Sequence, residues 1–173
     1  TVADRLGMSC LHTATGPGAL DAMLDAPSGT PGWLREHAAS LLAHHAARDD
    51  LACVALLLAR GCAGEWRQTA ATLALHHSPS AAMTALLLDY GADPRAEDAE
   101  GRTPLSRVAE EGSIHLLLRG GAVASGADRA GRTPLHFARN ARVAQGLVDA
   151  GADPAARDAR GATPLHGPRS CAV

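Results

Sequence analysis

The chain has 173 residues, 46% of them hydrophobic and 20% charged, a balance that suits one soluble globular domain and excludes a disordered segment. A formal charge of −2 argues against a nucleic-acid module, which needs a strongly basic face. No run approaches the roughly 18 apolar residues of a membrane span, and no charged-then-apolar leader is present. Aromatic residues are only 2%, so burial must come from Ala, Leu and Val, as in closely stacked small helices.

In chain order, the first unit opens at Asp4 with DRLGMSCLHTA and extends over about 4–27. The second, about 35–61, ends on Leu56-Leu57-Leu58 and Gly61. The third, about 68–91, ends on Leu86-Leu87-Leu88 and Gly91. The fourth, about 98–121, opens with DAEGRTPLSRVA and ends on Leu116-Leu117-Leu118 and Gly121; the fifth, about 128–151, opens with DRAGRTPLHFA and ends on Leu147-Val148 and Gly151. A sixth opens at Asp158 with DARGATPLHG and stops within its first helix. The closing glycines 61, 91, 121 and 151 are thirty residues apart each time, and fixed self-similarity on this scale marks a stacked repeat array.

Each unit has a physical reading. Asp followed three residues later by Gly suits a tight turn in which the carboxylate bonds nearby backbone. Thr133 stands where an N-cap belongs and Pro134 at the first helical position, so a helix is predicted to start there. A second helix, ending in the Leu-rich run, is predicted to stop at Gly151 in the left-handed conformation. The units are thus turn, helix, helix, turn.

These phrases resemble the ankyrin repeat, whose T-P-L-H-x-A signature recurs about every 33 residues. Thr103-Pro104-Leu105, Thr133-Pro134-Leu135-His136-Phe137-Ala138 and Thr163-Pro164-Leu165-His166 carry it, as do Gly91-Ala92-Asp93-Pro94 and Gly151-Ala152-Asp153-Pro154. The resemblance covers almost the whole chain and is weakest in the second and third units, where Ser40 and Leu73 occupy the Thr place. It implies an all-α solenoid of helix-turn-helix units forming a single domain over 1–173. The chain departs from the family in length: Thr133 to Gly151 and Thr103 to Gly121 are 18 residues each, against 21 from Ser40 to Gly61. Three residues are missing between the helices. The first helix is therefore expected to shrink to about two turns, with Gly16-Pro17, Pro79-Ser80 and Asn140 as fresh helix starts.

The resemblance also implies function: a non-catalytic protein-binding module, adaptor or scaffold, with specificity in its concave face and turn tips. Carried over, the partner-binding positions are Glu100, Arg102, Glu110 and Glu111 in the fourth unit, Arg129, Arg132 and Asn140 in the fifth, and Arg160 in the sixth. Arg102, Arg129, Arg132 and Arg160 would form a basic ladder suited to an acidic protein partner. A solvated polar face accounts equally well for any single one of these arginines. A cytoplasmic monomer without cofactor is expected, in the host cytoplasm if the chain is a viral or bacterial effector. A regulatory segment of a larger enzyme or channel is the alternative, since the chain starts at Thr1 without Met.

No catalytic signature appears: there is no G-x-S-x-G, phosphate loop or H-E-x-x-H, and Cys171 lies third from the end, so it forms no prenylation box. The nine histidines show no metal-ligand spacing, and His12, His76, His136 and His166 take the signature place that the family uses to bond its turns. The cysteines, Cys10, Cys53, Cys62 and Cys171, follow no C-x-x-C or disulfide pattern, as suits a reducing compartment. No metal is expected on this reading, and a metal- or redox-responsive module is the distant option. All 16 basic residues are Arg; codon bias explains this, and so does a ubiquitin-ligase adaptor that escapes modification of its own lysines.

Overall fold

The structure, a computed structural model, describes residues 32–61 and 65–164. The expected first unit, with Gly16-Pro17, and the sixth beyond Pro164 lie outside them, as do Cys10, Cys62, Cys171, His12 and His166. The elements are α1 (Gly32–Ala47), α2 (Leu51–Leu56) running into a π-helical segment (Leu57–Gly61), α3 (Glu65–Leu75), α4 (Ala81–Asp89), a 3-10 turn (Pro104–Arg107), α5 (Glu111–Arg119), a second 3-10 turn (Pro134–Phe137) and α6 (Ala141–Asp149). No strand occurs among the described residues, and none of their helices is long and apolar enough to cross a membrane. They divide into two units, one of 32–61, 65–78 and 86–92, the other of 79–85 and 93–164, with the boundary running through α4.

In the first unit α1 lies against α2, the π-helical segment and α3. Its core is Leu41, Leu42, Leu57, Leu58, Ala70, Ala71, Ala74, Leu75 and Leu87, all but excluded from solvent. Ala and Leu are strong helix formers, and nothing in 32–47 or 65–75 interrupts them. This corrects one expectation: Ser40 and Leu73 do not start helices but lie inside α1 and α3. The chain leaves α1 through Asp49 at φ +58°, where the Asp50 N–H reaches the His45 carbonyl at 3.0 Å and the Asp49 N–H that of Ala46 at 3.0 Å. Asp takes the left-handed position usual for Gly. Asp50 then caps α2, its Oδ1 accepting from the Cys53 N–H at 3.2 Å.

The second unit contains the signature repeats. Thr103 and Thr133 stand at the N-cap with Pro104 and Pro134 following, as expected. The first helix is shorter than expected, one 3-10 turn of four residues instead of two α-turns, because Val108 and Ala138 leave helical conformation at ψ +131° and +123°. Ser80 and Asn140 start the second helices: the Met83 N–H bonds Ser80 Oγ at 3.2 Å and the Val143 N–H bonds Asn140 Oδ1 at 2.8 Å. α5 and α6 end alike, Gly121 and Gly151 in the left-handed region at φ +99° and +90°, with Ala122 and Ala152 N–H groups returning to Leu117 and Leu147 carbonyls at 2.9 Å each. Met83, Leu105, Ile114, Leu117, Leu135, Val143 and Leu147 form the core.

Candidate interaction face of the turn ladder

Three turns, 98–102, 128–132 and 158–162, repeat one construction. In each, Oδ1 of the opening Asp accepts two backbone N–H groups, two and four residues on: Glu100 and Arg102 at 3.0 and 2.9 Å, Ala130 and Arg132 at 2.9 Å each, Arg160 and Ala162 at 2.8 and 2.9 Å. The Asp N–H closes the turn on the carbonyl four residues later at 2.9 Å in all three. The turns also bond each other, Arg129 N–H to the Glu100 carbonyl at 3.1 Å and Ala159 N–H to the Ala130 carbonyl at 2.9 Å. Such close approach needs glycine: a Cβ on Gly131, at φ +74°, would stand 3.1 Å from the Ala159 nitrogen.

Electrostatics reinforce the turns. Burial pushes the Asp98 and Asp128 pKa values up, yet hydrogen bonds from Arg102 and Arg132 and from backbone N–H groups outweigh it and hold both below the usual carboxylate range. The Ala162 N–H leads in lowering that of Asp158, against a smaller burial effect.

The eight candidate side chains separate into two kinds. Arg102 donates from Nε to Asp98 Oδ2 at 2.8 Å and pairs with Glu100 Oε2 at 2.7 Å. Arg132 holds Asp128 Oδ2 from Nε at 2.9 Å and from Nη2 at 2.7 Å, and its guanidinium lies 4.7 Å from the centroid of the Phe137 ring. Glu110 Oε2 accepts from the Ala81 N–H at 2.9 Å, and Asn140 Nδ2 donates to the Ala109 carbonyl at 3.3 Å, so both join successive repeats. Arg129 and Glu111 are exposed, and Arg160, with a side chain 84% exposed, keeps only a 3.9 Å ion pair to Asp158. The ladder that points outward is therefore Arg129 and Arg160, with Glu111 and the partly engaged Glu100 beside it.

His136 completes the frame. The Thr133 N–H donates to His136 Nδ1 at 3.1 Å, which places the proton on Nε2, and Nε2 reaches the Ala162 carbonyl of the next turn at 3.2 Å. In the preceding repeat Ser106 takes this place, and the buried Thr103 hydroxyl has no partner.

One cluster escaped the sequence reading. His45, Asp50 and Cys53 bring a nitrogen, an oxygen and a sulfur within 4.8 Å of one another. Burial, then the neighbouring Asp50, pushes the Cys53 thiol pKa up to about 12, so the thiol is inert as a nucleophile. The spacing H-x-x-x-x-D-x-x-C was the only signal, and it joins only because Asp49 reverses the chain.

Among curated proteins, none matches the chain. A family model, ankyrin repeats in three copies, matches residues 79–158. Ankyrin repeats are generally protein–protein interaction modules and typically non-catalytic. With stacked Asp turns, Thr-Pro helix starts and glycine-ended second helices repeating through them, the matched residues 79–158 are ankyrin repeats.

Proposed function

We propose that the chain is a non-catalytic adaptor or scaffold that holds an acidic protein partner across its turn tips, with Arg129 and Arg160 as the principal contacts and Glu100 and Glu111 setting register. One observation carries this reading: the turns are fastened to each other by backbone hydrogen bonds, so exposed side chains at their tips sit on a frame that is ordered before binding. Pre-organisation spares a partner the entropy of fixing the surface it meets. Arg102, Arg132, Glu110 and Asn140 support that frame, and their loss would weaken binding through stability rather than contact.

The test starts from a partner captured with the wild-type chain from its own cells and then purified. Reversing Arg129 and Arg160 to Glu is expected to weaken its binding about tenfold or more, with association slowed by salt in the wild type and a nearly unchanged melting temperature. Arg119→Glu, at the end of α5 and outside the ladder, is the control and should bind as the wild type does. A partner that ignored the ladder reversals but was lost with Arg119→Glu would overturn the assignment.

A further inference from the structure

We propose that His45, Asp50 and Cys53 form a binding site for a thiophilic divalent cation of the zinc class. Imidazole nitrogen, carboxylate oxygen and thiolate sulfur together are a donor set for zinc, and hard cations such as calcium or magnesium avoid the sulfur.

The geometry is close to what such an ion needs. His45 Nδ1 and Asp50 Oδ2 already stand 3.4 Å apart, and all three donor atoms lie within 4.8 Å of one another. Tetrahedral zinc bonds of about 2.0–2.3 Å place donors about 3.3–3.8 Å apart. A side-chain rotation moving one donor on the order of 1 Å closes the set.

The turn presents the donors through bonds that the fold already makes. Asp50 Oδ1 is occupied by the Cys53 N–H, which leaves Oδ2 turned toward His45. His45 and Cys53 are fixed by burial, while the Asp50 side chain, 31% exposed, gives an ion and a fourth, water ligand a way in.

His45 is only 2% exposed, yet its Nε2 is buried with no hydrogen-bond partner. That nitrogen is unpartnered whether or not Nδ1 holds an ion, so the ring is aimed by its one hydrogen bond, Nδ1 to Asp50 Oδ2 at 3.4 Å. What the position does secure is Nδ1 facing Asp50 and Cys53. Binding exchanges the Cys53 thiol proton to solvent for a metal–sulfur bond, with no change in oxidation state.

Cobalt(II), added to the full chain with a thiol-free reductant, is the probe, because a thiolate-to-cobalt charge-transfer band reports sulfur ligation alone. To isolate Cys53, the variant Cys10→Ser/Cys62→Ser/Cys171→Ser is titrated. One equivalent is expected to give the band, zinc to abolish it by displacement, and zinc to raise the melting temperature. Adding Cys53→Ser should remove the band and the zinc-dependent rise.

Asp50→Asn keeps an acceptor for the α2 cap but loses the charge. It should melt like the wild type without metal and bind cobalt more weakly, by at least the about 10–100-fold that outer partners of metal ligands cost. His45→Gln should do the same, and if it fails to fold the other two variants decide. No band in the triple variant, a band that survives Cys53→Ser, or undiminished binding by Asp50→Asn would each overturn the proposal and leave a helix-capping network that needs no ion.

Discussion

The two units bury similar residues by different means. In the first, long helices do the work: α1 and α3, of sixteen and eleven residues, bury Leu41, Leu42, Ala70, Ala71, Ala74 and Leu75, and α1 is joined to α2 by the turn at Asp49 and Asp50. In the second, each repeat contributes a four-residue 3-10 turn and a nine-residue helix, too little apolar surface to stand alone. What it adds is a column of polar contacts from repeat to repeat: Glu110 to Ala81, Asn140 to Ala109, Arg129 to Glu100, Ala159 to Ala130 and His136 to Ala162. Shortening the first helix transfers stability from area to hydrogen bonds. It also fastens the turn tips, where a partner is proposed to bind.

The largest expected effect tests how far those contacts couple the repeats. Leu117→Pro removes a core side chain and breaks α5, at about 3 kcal/mol for the proline alone. Hydrogen-exchange protection should vanish together from α5, α6 and the turns joined through Glu100 and Ala130. Loss confined to α5 would show that the polar column does not transmit cooperativity.

Next is the carboxylate at the centre of one turn. Asp128, whose side chain is 1% exposed, serves two backbone N–H groups and Arg132, so Asp128→Ala should cost about 2–4 kcal/mol. In the first unit Asp50→Ala removes chiefly a helix cap, about 1 kcal/mol. Acid should separate the units in the same sense. A carboxyl whose folded pKa is depressed contributes stability that is complete above its unfolded value, about 4, and lost as pH falls through the folded value. Asp98, Asp128 and Asp158 are all of this kind in the second unit, against Asp50 in the described part of the first. Below about pH 4, exchange protection should therefore fall sooner at residues 98–162 than in α1 and α3. Equal loss would show that the turn carboxylates add nothing net.

Much of this was legible in the sequence, and what was not has physical causes. The thirty-residue period, the Thr-Pro starts at 103 and 133, the helix starts at Ser80 and Asn140 and the left-handed Gly121 and Gly151 follow from local chemistry that few residues decide. The lengths of the first helices do not. At Ser40 and Leu73 no Thr-Pro pair fixes a start, so Ala-rich runs propagate through the aligned position. Of the candidate site, the positions were readable but not their employment. The usable signal was Arg four residues after Asp, at 102 and 132, which the turn folds back onto its own carboxylate; the third turn has Ala162 there, and Arg160 stays outside.

A smaller effect isolates the stacking itself. Gly131→Ala and Gly161→Ala force the same left-handed strain, at φ +74° and +77°, but only at Gly131 does the new Cβ meet a neighbouring turn, 3.1 Å from the Ala159 nitrogen. Both should destabilise by about 1 kcal/mol or more, with Gly131→Ala worse by a further margin of about 1 kcal/mol. Equal melting temperatures would mean that the turns can part without cost.

The smallest expected change has the opposite sign. Ser106 stands where the next repeat has His136, and the consequence is visible one turn of chain earlier: the Thr133 hydroxyl lies 3.0 Å from His136 Nδ1, whereas the Thr103 hydroxyl is buried with no partner. The Arg132 carbonyl, counterpart of the Ala162 carbonyl that His136 reaches, accepts only the Asp128 N–H among the bonds of that turn and has a second lone pair. Ser106→His should therefore supply both missing partners, an acceptor for Thr103 and a donor to Arg132, and add about 0.5–1.5 kcal/mol at neutral pH, where the imidazole is uncharged. Ser106 is itself buried, so the larger ring must fit the space that repeat equivalence assigns to it. The double variant Ser106→His with Thr103→Val separates the two contributions: if the gain survives loss of the Thr103 hydroxyl, the bond to the next turn accounts for it. A lower melting temperature for Ser106→His alone would show that the fourth repeat is packed around serine and that the two repeats are equivalent in backbone only.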